Sequence, residues 1–126
     1  MENRPQWLKV VDNSKFTVES LITTGRVYRT YEIYPGYTIT LRTLLAKEAN
    51  EISKSLANQN ADTDIEVATR MLVKLNDADY TNVVPSDIKN ILLNQAQPVI
   101  ERINTAILDF LADVREIENQ ETLKKN

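Results

Sequence analysis

The sequence predicts a single α+β domain, in which an N-terminal β-hairpin or small antiparallel sheet is followed by four helices. Its 126 residues suit one domain with a hydrophobic core. β-Forming residues are concentrated between positions 27 and 43, and apolar residues recur at helical spacing after position 44. The expected organisation is an arm over residues 1–26, a hairpin over 27–43, a helical region over 44–120 and a fraying tail over 121–126.

The arm has the weakest pattern of the chain. Trp7 stands among short apolar and charged residues, which indicates a short strand or a docking arm anchored by its ring. Residues 16–22 fit either a strand or a helical turn, and periodicity does not decide between them.

The hairpin is predicted from a Pro-Gly pair between two runs of β-forming residues. Pro35-Gly36 suits the centre of a type II turn, because the glycine can adopt a positive φ. The second strand, residues 37–42, alternates apolar and polar side chains. A two-residue loop in regular register would place Ile33 opposite Thr38 and mix apolar with polar residues on each face. We therefore expect an odd-length loop or a bulge beside the turn.

Two helices are predicted directly after the hairpin. The first covers residues 44–59, with Thr43 as its cap. The second begins at a capping-box pattern, Thr63 followed three positions later by Glu66, and continues to about Asn76. A loop over residues 77–84 ends this part of the chain. After it, Ser86 is a good cap for a third, short helix with apolar residues Ile88, Ile91 and Leu92.

The fourth helix, Pro98 to Glu118, carries the strongest pattern, and a break in the helix is expected at Pro98. Its large apolar residues are separated by gaps of three and four, which places them in one stripe: Ile100, Ile103, Ile107, Phe110, Val114 and Ile117. A lone helix of this length is marginal in water, so the stripe needs a contact. We expect part of it to lie in the domain's own core. The shorter helices are too short to cover all of it, so the surplus is expected to contact another chain.

The composition excludes several classes of function. The chain has no Cys and no His, which excludes disulfides, zinc fingers, thiol nucleophiles and Ser-His-Asp triads. The acidic clusters around Asp62 and Asp77 lack the glycine and final carboxylate of a calcium loop, so we interpret them as helix caps and loop charge. No glycine-rich phosphate loop is present. The expectation is a non-enzymatic protein with no cofactor and no metal.

Neither a membrane segment nor a secretory signal is expected. No apolar run approaches the ~20 residues that cross a bilayer. The first residues lack the apolar stretch of a signal peptide. The cytoplasm is therefore the expected location, without a membrane partner.

A tyrosine-rich stretch leaves three interpretations open. Tyrosines recur every third residue beside three arginines: Tyr28, Tyr31, Tyr34 and Tyr37, with Arg26, Arg29 and Arg42. Aromatic and basic residues on a small sheet could stack single-stranded nucleic acid. However, a spacing of three places successive tyrosines on opposite faces of a strand. We favour sheet packing or a partner-binding surface.

The segment from Tyr31 to Leu44, followed by Lys47-Glu48 and then by helices, resembles the small tail assembly chaperones of tailed bacteriophages. The shared features are a short β element ending in a Leu-Arg-x-Leu-like step, a helix with an early Glu and a helical C-terminal half. The resemblance covers about Val27 to Ile117.

This resemblance implies an oligomeric, non-enzymatic protein that coats the tape-measure protein or nucleates tail-tube assembly in the host cytoplasm. The contact residues would be Tyr34 and Tyr37 of the hairpin together with Ile103, Ile107, Phe110 and Val114 of the stripe. A permanent structural subunit of a phage tail or baseplate, located in the virion, is the alternative. A nucleic-acid-binding regulator is the third possibility. The end Lys124-Lys125-Asn126 can be encoded by an adenine run, as at the programmed frameshift of such chaperones.

Overall fold

The computed structural model of the chain describes residues 4–58 and 62–125, with side chains up to residue 119. Its elements are β1 (Lys9–Asp12), α1 (Val18–Thr24), β2 (Tyr28–Tyr34), β3 (Tyr37–Arg42), α2 (Ala46–Ala57), α3 (Thr63–Met71), β4 (Leu72–Leu75), β5 (Ala78–Asp79), α4 (Pro85–Leu93) and α5 (Gln97–Lys125). The strands form one antiparallel sheet in the order β1-β2-β3-β4-β5. The predicted α+β class is confirmed.

The predicted hairpin is β2 and β3, at the centre of the sheet. Tyr34 pairs with Tyr37 across the Pro35-Gly36 turn, and the register then shifts between Glu32 and Tyr34. The shift leaves Ile33 as a bulged residue with its side chain fully buried. This register shift confirms the predicted bulge. The bulge keeps the apolar residues of both strands on one face. Gly36 has a φ of 77°, as the turn requires.

The N-terminal arm is part of the domain. β1 pairs with β2 and forms one edge of the sheet. α1 is capped by the Thr17 hydroxyl, which accepts a hydrogen bond from the Ser20 amide, and it ends at Gly25 with a φ of 77°. Leu8 and Phe16 of the arm are buried in the core. Residues 1–3 lie outside the described residues.

The mostly helical region predicted over residues 44–120 contains two of the five strands, and one of them, β5, lies within the predicted loop over 77–84. α3 ends at Met71, and the chain continues as β4 along the free edge of β3, so the prediction of helix to Asn76 is wrong. β4 buries Leu72 and Leu75 against the core. The backbone N–H and C=O groups on the open edge of β3 form hydrogen bonds with β4. Helical propensity depends on local sequence and does not reveal this pairing. Asn76, with a φ of 54°, then turns the chain into β5.

α5 packs against the sheet at β2 and β3 and also contacts α1 and α3. The predicted break at Pro98 is confirmed, since α4 ends at Leu93 and α5 begins at Gln97. α5 continues to Lys125, so the backbone of residues 121–125 is helical where a frayed tail was predicted. Asn126 lies outside the described residues. No described helix combines the length and the apolarity needed to cross a membrane.

Two predicted caps are also wrong. The Thr43 hydroxyl accepts a hydrogen bond from the Val27 amide at 3.0 Å, and α2 begins three residues later. The Glu48 carboxylate accepts from the Leu45 amide at 2.7 Å and so satisfies one free donor of α2. α4 begins at Pro85, whose missing amide hydrogen costs nothing in the first turn, and Ser86 lies inside the helix.

The cap of α3 is Asp62 rather than Thr63. The Asp62 Oδ1 atom accepts hydrogen bonds from the amides of Asp64 at 2.9 Å and Ile65 at 3.4 Å. We expect Asp62→Ala to lower the free energy of unfolding by about 0.5–2 kcal/mol. Thr63→Ala, at an exposed position, should change it by less than about 0.5 kcal/mol. Urea denaturation followed by circular dichroism measures both, and equal effects would contradict the assignment.

Candidate protein-interaction site

The structure buries the apolar stripe that was predicted to contact a partner. Ile103 and Phe110 are fully buried, and Ile107 and Val114 are 5% and 7% exposed. The Phe110 ring meets the Phe16 ring edge to face, with 5.6 Å between the centroids. The prediction that these four residues remain uncovered by the domain and contact another chain is therefore wrong. Their cover comes from β2 and β3 of the hairpin, from α3, and from α1 and Phe16 of the folded arm.

The two predicted contact residues of the hairpin lie at its turn end, where both are half-buried. Tyr34 and Tyr37 are directly paired across the turn. The guanidinium of Arg102, from α5, lies over the Tyr34 ring at 4.1 Å and over the Trp7 ring at 4.3 Å, measured from Cζ to each centroid. Its Nη1 atom donates a hydrogen bond to the Ile33 carbonyl oxygen. We call Trp7, Tyr34, Tyr37 and Arg102 the hairpin-end cluster.

Three elements position the hairpin-end cluster. The bulge at Ile33 reverses the alternation of β2, so Tyr34 lies on the α5 side of the sheet, where Arg102 reaches it. The arm brings Trp7 to the same guanidinium immediately before the buried Leu8. Sequence reasoning proposed both tyrosines and treated Trp7 as an anchor. It did not single out Arg102, which lies outside the apolar stripe.

The residue types of the hairpin-end cluster are those that anchor protein interfaces. Trp, Tyr and Arg are enriched among residues whose truncation costs most in binding. Stacking on two rings restricts the Arg102 side chain before any partner arrives, which lowers the entropy lost on binding. Tyr80 is a further tyrosine close to Tyr37. Burial raises the pKa of its phenol, and neighbouring Tyr37 raises it further. The side chains of the hairpin-end cluster together form a surface that can bind a protein segment.

A second polar group, the buried charge network, lies between the sheet and α5. It consists of Arg4, Arg29, Tyr31, Asp109 and Asp113. The Arg29 Nη1 atom lies 2.6 Å from Asp113 Oδ2 and donates to the Tyr31 hydroxyl at 3.0 Å. That hydroxyl donates to Asp109 Oδ2 at 2.7 Å. Arg4 reaches both carboxylates from the arm, at 3.2 Å and 3.0 Å.

The chemistry of the buried charge network favours a structural role. Burial raises the pKa of Tyr31, so the phenol remains a proton donor to Asp109. Both carboxylates form ion pairs with Arg4 and Arg29, so the charges of the network are matched within the domain. The network joins β2 and the arm to α5. Sequence reasoning missed it, because its members are distant along the chain and each looked like a surface charge.

Two further buried carboxylates hold the shorter helices. Burial raises the pKa of Glu48. Hydrogen bonds from Arg26 and from the Leu45 amide, together with the charges of Arg26 and Arg42, outweigh this effect and lower the pKa overall. Burial likewise raises the pKa of Glu66, and ion pairs with Lys89 at 2.7 Å and Arg70 at 2.9 Å lower it overall. These contacts attach α2 to the hairpin and α4 to α3.

The open face of the sheet is polar. A shallow groove of about 250 Å³ on this face is lined by residues that include Tyr28, Thr30, Thr40 and Lys74. The Thr30 and Thr40 hydroxyls lie 2.8 Å apart. Tyr28 borders this groove, whereas Tyr31 is buried on the α5 side, so the tyrosines do not form one stacking surface. Arg26, Arg29 and Arg42 are all paired with carboxylates, which reduces the support for nucleic-acid binding.

Comparisons of the chain with protein-family models, curated proteins and solved structures give no match.

Proposed function

We propose that this chain is a non-enzymatic tail assembly chaperone of a tailed bacteriophage, which binds tape-measure or tail-tube components in the host cytoplasm. The resemblance of residues 27–117 to that family motivates the proposal. The observation that carries it is the hairpin-end cluster, in which half-buried aromatic rings and an ordered arginine meet at one end of the domain.

The binding surface in this proposal is the hairpin end and not the helical stripe. The stripe stabilises the fold, since its central residues are buried in the domain. Tyr34 and Tyr37 keep partly exposed rings on a rigid hairpin, so a partner can cover them without local unfolding. Large, rigid, amphipathic rings contribute contact area at low entropic cost, which suits the capture of an exposed helix of an unassembled tail protein.

Co-purification tests the proposal. When the tagged chain is produced with the tape-measure and tail-tube proteins of the same genome, we expect one of them to co-purify with it. Tyr34→Ala and Tyr37→Ala should each reduce the retained partner about tenfold or more, as expected for loss of an aromatic anchor. Tyr28→Ala is the matched control, because it removes a half-buried tyrosine from the open face of the sheet.

The outcomes separate binding from folding. Circular dichroism should show all three variants folded at the assay temperature. Equal retention by the Tyr34, Tyr37 and Tyr28 variants would overturn the hairpin end as the binding surface. Failure of the parent chain to retain any tail protein would overturn the chaperone proposal.

One observation favours the alternative of a permanent tail or baseplate subunit. β1 is an edge strand, and Val11 on it is 53% exposed. An open strand edge can pair with a strand of a neighbouring subunit in a lasting assembly. Mass spectrometry of purified particles distinguishes the two proposals: a subunit is present in stoichiometric amount, and a chaperone is absent.

A further inference from the structure

Arg102 differs from the other packed arginines of the described chain in having no ion pair. Five arginines lie within 4.0 Å of a carboxylate oxygen: Arg4, Arg26, Arg29, Arg42 and Arg70. Within residues 4–58 and 62–119, Arg102 instead has two aromatic rings and the Ile33 carbonyl oxygen as neighbours. The charge is therefore held in a half-buried position with no carboxylate oxygen of the described residues within 4.0 Å.

Among the described residues, the Arg102 side chain makes one hydrogen bond and so retains hydrogen-bonding capacity. A guanidinium has five N–H donors in one plane. The Arg102 Cζ atom lies 4.3 Å from the Trp7 ring centroid and 4.1 Å from the Tyr34 ring centroid, and Ile33 uses one donor. These contacts restrict the position of the guanidinium. An arginine held in this way matches the two oxygens of a carboxylate in a bidentate arrangement.

We propose that Arg102 receives a carboxylate from an acidic segment of a protein partner, which the flanking Trp7, Tyr34 and Tyr37 rings contact at the same time. This inference rests on the proposed function and adds the chemistry of the segment that is bound. The aromatic surroundings favour a carboxylate on a peptide, whose neighbouring atoms can cover the rings, over a free inorganic anion. Binding by net charge alone is disfavoured, because the chain carries a net charge of −3 and repels acidic peptides.

Trp7 provides a specific signal, because it is the only tryptophan of the chain and its ring contacts Arg102. The experiment titrates the purified full chain at low salt with a hexaglutamate peptide and follows Trp7 fluorescence. Hexaglutamine is the uncharged match, and inorganic phosphate is the second anion. We expect a saturable change with hexaglutamate, none with hexaglutamine, and binding of phosphate at least about tenfold weaker.

Variants assign the signal to Arg102. Arg102→Gln should weaken hexaglutamate binding about tenfold or more, as expected for loss of a charge-assisted hydrogen bond. Arg102→Lys keeps the charge and the aliphatic stem but loses the forked donors, and it should also bind more weakly than the parent. Arg115→Gln is the matched control, since it removes an exposed arginine from the same helix. Thermal melts establish that each variant is folded.

Three results would overturn the inference: no saturable change in the parent, equal affinity in the folded Arg102→Lys variant and the parent, or tighter binding of phosphate than of the peptide. These results are distinguishable from failure of the proposed function. A tail protein that co-purifies with the parent chain and equally with Arg102→Lys leaves the chaperone proposal intact and removes only the carboxylate contact.

Discussion

Phe110→Ala should lower the free energy of unfolding by about 3–5 kcal/mol, a large fraction of the stability of a domain of this size. The Phe110 side chain is fully buried where α5 crosses the inner face of the sheet, and its ring packs against Phe16. Removal of the ring loses its burial and leaves a cavity that the surrounding strands cannot fill without moving. Chemical denaturation followed by circular dichroism measures the loss.

Leu108→Ala is the matched control for this prediction. Leu108 is two residues away on the same helix and is 69% exposed. Its truncation should change the free energy of unfolding by less than about 0.5 kcal/mol. The comparison also decides the role of the stripe. If Phe110→Ala keeps the parental stability but loses self-association or partner binding, the core assignment is contradicted. Such a result would show that the stripe is a contact surface.

Local sequence signals were sufficient for the central hairpin and for α5. Pro35-Gly36 indicated the turn, and the mismatch of Ile33 with Thr38 indicated the bulge that the structure contains. The apolar spacing and Pro98 identified the last helix and the break before it. These features depend on residues within a few positions of one another, which is the range over which patterning and turn chemistry act.

The outer strands of the sheet depend on pairing between distant segments. Leu72–Leu75 continues a helical pattern, but it pairs with β3 because that strand has an open edge. Lys9–Asp12 has too few residues for periodicity to identify it. The stripe was expected to exceed what the shorter helices could cover. In the structure it packs against the hairpin strands β2 and β3 and against the arm, through α1 and Phe16, in addition to α3.

Only part of the candidate site was predicted, because the rest depends on contacts between segments that are distant in sequence. Tyr34 and Tyr37 are adjacent to the turn, so the sequence alone places them together. Arg102 is 69 positions from Ile33, whose carbonyl oxygen it contacts, and no local pattern brings them together. The arm that carries Trp7 was itself ambiguous. The sequence thus indicated the tyrosines of a binding surface and not the charge at its centre.

Arg29→Met should destabilise the domain by about 3–5 kcal/mol, because it leaves Asp113 buried beside an uncharged thioether. Arg29 is 5% exposed, lies 2.6 Å from Asp113 Oδ2 and stacks at 3.9 Å over Phe16. Arg4 also reaches Asp113 at 3.0 Å, but its side chain is 24% exposed and also pairs with Asp109, so we expect it to offset only part of the lost charge. Equilibrium denaturation measures the change, and Arg115→Met on the exposed face of α5 should have almost no effect.

A double variant separates the charge from the packing. Asp113 Oδ1 is buried and has no hydrogen-bond partner among the described residues, so its carboxylate is already incompletely satisfied. Arg29→Met with Asp113→Leu removes both charges and retains apolar volume. It should be more stable than Arg29→Met alone, with a coupling free energy of about 0.5–3 kcal/mol. Additive losses would contradict the mechanism, because they would show that Arg29 stabilises the domain through its contact with Phe16 and not by neutralising Asp113.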